Sequence, residues 1–148
     1  MLLNTKHFGQ LEVDEKGIID FPEGLPGFED AKRFVLIANS GEDSIFQWLQ
    51  SIDNLDLAFV VIDPKIIKDD YIVDVPEEEV EELQIDESSE TIVLCIVVVP
   101  EDLAKMTANL KAPVIINNTS KKGKQVVLDN NDYEIKHYIM QELRQRGG

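Results

Sequence analysis

The sequence predicts a mainly β fold: a small closed or partly open antiparallel β-barrel with one or two short helices, in a single domain over residues 1–148. Three observations predict it. Eight to ten short stretches carry the alternation or the β-branched and aromatic runs of strands, and turn residues separate them. Helical signals are confined to one acidic stretch and the C-terminal tail. A short chain with so many strands most readily removes its sheet edges by closing the sheet. A domain of this size buries roughly 70% of the surface its unfolded chain exposes, so it needs no metal or disulfide to fold.

The elements follow in order. Residues 6–13 alternate loosely and end at the polar turn Asp14–Gly17, and residues 17–21 form the next strand. Two prolines and two glycines between Pro22 and Phe28 exclude a helix or central strand, so this is an ordered loop with Leu25 and Phe28 as plugs for the core. Residues 33–37 read as a strand and Asn39–Asp43 as a turn. Residues 45–51 alternate, with Phe46 and Trp48 on one face, and Trp48 reads as core. The apolar run 57–62 suits a strand covered on both faces and is closed by Asp63-Pro64. From Asp74 to Leu83 a proline near the first turn and a row of carboxylates mark a short, mostly solvated helix with Val80 and Leu83 as its buried stripe. Residues 91–99 are the most apolar strand. Residues 107–113 lead into a strand at 114–117, Asn117–Lys124 reads as a basic turn, and residues 125–128 as another strand. Tyr133, Ile135 and His137 alternate, while Ile135, Ile139 and Leu143 recur at helical spacing. The expectation is a strand to about His137, then a helical or mobile tail, with Arg144–Gly148 mobile.

Charge narrows the function. The chain carries 29 acidic and 14 basic residues, a net charge of -15. Such a surface repels phosphate backbones and anionic membranes and favours basic protein partners. Residues 1–100 hold 23 acidic and 6 basic side chains, residues 101–148 hold 6 and 8, which suggests either two poles or halves that intermingle in the fold and leave no dipole. The N-terminus lacks the pattern of a signal peptide, and the longest apolar run, Ile92–Val99, is far short of the roughly 20 residues of a membrane span. A cytoplasmic protein is expected.

No residue pattern points to catalysis. Neither a phosphate-binding glycine loop nor a metal-binding histidine pair occurs, and the two histidines, His7 and His137, lie at opposite ends of the chain. The lone Cys95 lies within an apolar strand and reads as a small hydrophobe. No catalytic residue, cofactor or metal is expected, and binding is favoured over catalysis.

Several segments resemble the FliW family of flagellar assembly factors. These are Phe21-Pro22-Glu23-Gly24-Leu25-Pro26-Gly27-Phe28, Trp48-Leu49-Gln50-Ser51, residues 57–61 and, most specifically, Thr107-Ala108-Asn109-Leu110-Lys111-Ala112-Pro113 with the strand to Asn117. They occur in the family's order from Thr5 to about His137, and the tail beyond is longer than the family pattern. The resemblance implies a β-barrel-like domain without enzymatic activity and two alternative protein partners. One is flagellin, held in the cytoplasm before export. The other is CsrA, an RNA-binding repressor of flagellin mRNA translation, which the factor antagonises by switching partners.

Charge clustering makes Asp69, Asp70, Glu77, Glu78 and Glu81 the candidates for CsrA. The polar side chains Asn109, Lys111 and Asn117 in an otherwise apolar stretch are the candidates for flagellin, with satisfaction of turns inside the fold as their alternative role. Two other readings remain open at this point: a small-ligand-binding barrel or barrel enzyme, and an acidic mimic of nucleic acid that blocks basic proteins by charge alone.

Overall fold

The computed structural model describes residues 1–38, 45–129 and 132–147, with side chains as far as Leu143. The turn expected at Asn39–Asp43 and the mobility expected of the last side chains lie outside the described residues.

Seven strands close a barrel. They are β3 (Ile18–Asp20), β4 (Arg33–Ala38), β5 (Phe46–Ser51), β6 (Ala58–Ile62), β7 (Thr91–Val98), β9 (Val114–Asn117) and β10 (Lys122–Gln125), and the β7–β9 pairing completes the ring. An odd number of strands cannot alternate in direction all the way round a ring. One seam must be parallel, and it is β3–β10, where Lys122 faces Asp20. The other six seams are antiparallel.

Alternate side chains fill the interior. Phe21, Leu25, Phe34, Leu49, Val61, Leu94, Val114 and Ile116 form one buried cluster with Ile19 and Ala31. Phe21 stacks edge-on against Phe34 at 5.2 Å between ring centres, and this is possible because β10 presents Gly123 there. A Cβ on Gly123 would lie 2.5 Å from the Phe21 ring. The ordered loop after β3 plugs one end of the barrel. Leu25 is fully buried, as expected, but Phe28 is 44% exposed and rests edge-on against Phe59 at 5.4 Å. The reason is local: Leu25 and Phe28 form a bridge across a turn whose Gly27 has φ +87°, which carries Phe28 back to the surface. Gly24 at φ +66° brings the loop within 2.6 Å of where its Cβ would meet the Glu29 backbone, so no side chain fits.

Three layers cover the outer wall. The hairpin of β1 (Leu2–Thr5) and β2 (Gly9–Glu12) lies over Ile52, with Leu3 and Val13 buried beneath it. The sequence alone placed a single strand over residues 6–13. The turn Thr5–Gly9 divides that stretch, with Thr5 Oγ1 donating to the Gly9 carbonyl at 3.0 Å. Trp48 is half-buried on the outside of β5, not in the core, between His7 and Phe8.

The second layer contains α1 (Pro64–Ile67), a short helix that sequence reading did not include, which begins where Asp63-Pro64 closes the strand as expected. Asp63 caps it, accepting from the Lys65 amide, and proline occupies its first turn. Ile67, Tyr71, Tyr133 and Ile139 pack with the outward residues Ile62, Cys95 and Val97. The sheet extends here through β8 (Thr107–Ala108) and β11 (His137–Tyr138). The tail helix α3 (Met140–Gly147) follows, tethered where His137 Nε2 meets both Glu142 oxygens at 2.9 and 3.0 Å.

The third layer is α2 (Glu77–Val80) with a single 3-10 turn at Glu81–Leu83, over Ile115 and Val126. Strand β10 lies three residues earlier than the sequence suggested, because the turn after β9 is tight and closes at Lys121, in the left-handed region at φ +59°.

Candidate functional site

The acidic helical segment has two faces. Glu79 and Glu82 turn toward Lys124 and Leu83 toward the barrel, Glu77, Glu78 and Glu81 turn toward solvent, and Val80 lies between the two sides. Leu83 is fully buried against the barrel. Glu79 and Glu82 reach Lys124 of β10, at 3.7 and 3.2 Å, and Glu23 of the plug loop reaches the same ammonium at 3.3 Å. Burial alone would lower the Lys124 pKa, but Glu82 and Glu23 outweigh it and hold the ammonium above its ordinary value. The Asn117 side-chain amide donates to the Leu83 carbonyl at 2.8 Å, and Ser120 Oγ donates to it at 3.2 Å.

Glu77, Glu78 and Glu81 are exposed and rim a surface hollow of about 530 Å³ with Val80, Gln84 and Ile85. Asp69 and Asp70 are also exposed, but they stand in the turn after α1, with the extended segment 71–76 between them and α2. Asp70 has Lys68 at 3.5 Å. The five candidates therefore occupy two elements. Sequence reading missed Lys124, Glu23 and Glu82, because charge counting along the chain does not reveal which side of a helix faces the barrel. At this contact the two halves of the chain intermingle: Lys124 of the basic segment stands among carboxylates from residues 1–100.

The segment 107–113 interrupts a strand. Ala108 faces Val97 and Val114 faces Leu94, so six steps along one chain span three along the other. The surplus bulges out, and its backbone is spoken for. The Asn109 amide donates to Ile96, the Leu110 and Lys111 amides to Glu134, and the Lys111 carbonyl accepts from Leu128. The Leu110 carbonyl accepts from Tyr71 Oη at 2.6 Å, and the Ala112 carbonyl from Gln125 Nε2. Asn109 Oδ1 accepts from the Ala112 amide at 3.0 Å. Asn117 is buried, and its amide group is committed to Leu83, Thr119 and Ser120. Of the three flagellin candidates, Asn109 and Lys111 are half-buried on the bulge, while Asn117 works inside the fold.

Among the described residues the barrel interior is filled by apolar side chains. Among the described residues no group of His, Cys, Asp and Glu is arranged to hold a metal ion, and no helix is long and apolar enough to cross a membrane.

Comparison with known proteins agrees with this architecture. A family model described as FliW protein matches residues 2–139. The chain is similar to the flagellar assembly factor FliW of Thermoanaerobacter pseudethanolicus, with 50% identity over 97% of this chain and 96% of that protein. It is 47% identical to the one from Ruminiclostridium cellulolyticum, covering 99% of each chain. It is 44% identical to the one from Leptospira interrogans, covering 94% and 93%. A crystal structure of the flagellar assembly factor FliW superposes with a TM-score of 0.86 at 37% identity, covering 95% of this chain and 97% of that one.

Proposed function

The chain belongs to the FliW family of flagellar assembly factors, and from that membership we propose that it acts in the cytoplasm as a non-enzymatic partner switch. It binds flagellin, or alternatively a CsrA-type RNA-binding repressor whose block on flagellin translation it relieves. When flagellin accumulates it takes up the factor and the repressor is released; when flagellin is exported the factor returns to the repressor.

The observation that carries the repressor half is the outward row Glu77, Glu78 and Glu81. Their inward neighbours Glu79 and Glu82 share the ammonium of Lys124, whereas among the described residues no ion pair is seen for these three. An RNA-binding protein presents basic surface, so a partner of net charge -15 approaches it fast and in a preferred orientation. Docked beside the RNA site, the carboxylates raise the cost of bringing in a phosphate backbone. Asp69 and Asp70 extend the same negative field. The flagellin half rests on Asn109 and Lys111 of the bulge, with Asn117 setting its far end from within.

The test is titration of the repressor against a variant carrying Asp69→Asn, Asp70→Asn, Glu77→Gln, Glu78→Gln and Glu81→Gln. Affinity at low salt is expected to drop, and the salt dependence to flatten, with flagellin binding retained. An unchanged affinity and salt slope would falsify the acidic-surface reading.

A further inference from the structure

We infer that Lys124 is a positioning residue for the acidic surface: it holds the segment 77–83 on the barrel in the orientation that turns Glu77, Glu78 and Glu81 outward. The inference rests on the acidic-surface reading above and deepens it.

Five carboxylates crowd residues 77–82, and the segment is under two turns long. Its N-cap, Pro76, makes no side-chain cap. Isolated helices of that length do not persist in water, and like charges at helical spacing repel. The first-turn carboxylates gain from the helix dipole, but that term does not choose which face meets the barrel. Three anchors on the barrel do. Leu83 and Val80 supply apolar contact with Ile115 and Val126. Asn117 and Ser120 hold the last carbonyl of the segment.

Lys124 supplies the charge. Its side chain is only 17% exposed and meets carboxylates from the plug loop, from α2 and from the following 3-10 turn. Glu82 Oε1 is shielded from solvent, with the ammonium as its ion partner. Without that cation, Glu82 would have to leave the barrel wall for water, because a shielded and unpaired carboxylate is costly. A roll of the segment about its axis would then carry Glu77, Glu78 and Glu81 away from their present places.

The inference makes a prediction opposite to that of bulk charge. Lys124→Met keeps most of the apolar stem and makes the protein one unit more acidic. If net charge alone drove association with the repressor, this variant would bind faster and at least as tightly. If Lys124 positions the surface, it binds more weakly, by about tenfold. Lys124→Arg, which keeps the cation, restores binding.

The experiment measures repressor affinity and association rate for wild type, Lys124→Met, Lys124→Arg and the triple variant Glu77→Gln, Glu78→Gln, Glu81→Gln, with flagellin binding as the control for folding. Weak binding by Lys124→Met and the triple variant, with Lys124→Arg normal, supports the inference. A weak triple variant with Lys124→Met unchanged or tighter overturns the role of Lys124 and leaves the surface standing. A triple variant that binds normally overturns both. If Lys124→Met does not fold, the charge swap Lys124→Glu with Glu82→Lys takes its place. It leaves the net charge unchanged, and near-normal binding by the swap is the supporting result.

Discussion

Asn117 of β9 donates its side-chain amide to the Leu83 carbonyl over 2.8 Å, so a buried polar group of the barrel wall fastens the end of the acidic segment. The same side chain accepts from the Thr119 and Ser120 amides at 3.0 and 3.2 Å and shapes the turn into β10. One residue thus couples the family's most specific sequence block to the acidic surface.

Replacement of Asn117 by alanine removes four side-chain hydrogen bonds, to Leu83, Ser89, Thr119 and Ser120, from a fully enclosed position. The expected loss is about 2 kcal/mol, since partners left unsatisfied cost more than the bonds are worth. At this chain length that is a fall of roughly 4–8 °C in midpoint. Urea denaturation checks it. Asn117→Asp is expected to fall further, because it places a carboxylate against the Leu83 carbonyl and loses the donor. A variant as stable as the parent would show that the Leu83 carbonyl finds another donor.

Gly123→Ala puts a methyl group into the Phe21 ring, 2.5 Å from its nearest atom. Overpacking of a full core costs about 1–3 kcal/mol. The ring lies inside a closed barrel, so the neighbouring strands cannot move apart to relieve it. Phe21→Leu on the same background is expected to recover part of the loss, giving a coupling term in a double-mutant cycle. Additivity of the two changes would contradict the contact.

Much of the fold was legible because its signals are local. The apolar runs at 57–62 and 91–98 are strands wherever they are placed, and Pro22 to Phe28 excludes regular structure on steric grounds. Phe28 and Trp48 were misplaced because aromatic character speaks for burial but not for which side of a wall is buried: Trp48 is covered by a hairpin whose position depends on Leu55, to whose carbonyl the Lys6 amide donates. The parallel seam at Asp20–Lys122 follows from the number of strands and is invisible in either strand alone. For the candidate site, Glu77, Glu78 and Glu81 were found by charge and do face outward. Lys124 escaped notice because it is 42 residues beyond Glu82 and only the fold brings them together. Asn109 and Asn117 were open to two roles, hydrogen bonds to a partner's backbone or satisfaction of turns within the fold, and the structure shows the second. Their side chains bond within the chain, which a buried polar group must do when no water reaches it.

Asp53 sets an acid limit on stability. Its partial burial works to raise its pKa, but the Lys32 and Arg33 amides and the Arg33 guanidinium, all at 2.9–3.0 Å, outweigh that and hold the carboxyl below its ordinary value. A carboxyl whose folded pKa is depressed contributes stability above its unfolded pKa, and that contribution fades as pH falls through the folded value. Asp53→Asn is expected to cost about 1 kcal/mol near neutrality, a modest figure because Arg33 is nearly half exposed and screened. The gap between parent and variant should narrow as pH falls below 3.8, the ordinary value for the group. Denaturation midpoints from pH 7 to pH 2 test this, and a constant gap would remove the linkage.

Cys95 gives a probe of the second outer layer. It is fully buried on β7, beneath the layer that holds Tyr71, Tyr133 and α3. Burial pushes its thiol up to about 12, and the thiolate is the reactive form. Folded protein at pH 8 should therefore resist a disulfide-exchange reagent, and the thiol should react at once in urea. Labelling of native protein then reports opening of this layer. Tyr71→Phe removes the 2.6 Å bond to the Leu110 carbonyl without changing the ring, so it should speed labelling by about fivefold if the bond is worth about 1 kcal/mol to the closed layer. Equal labelling rates would place the opening elsewhere, in a motion that leaves the Tyr71–Leu110 contact intact.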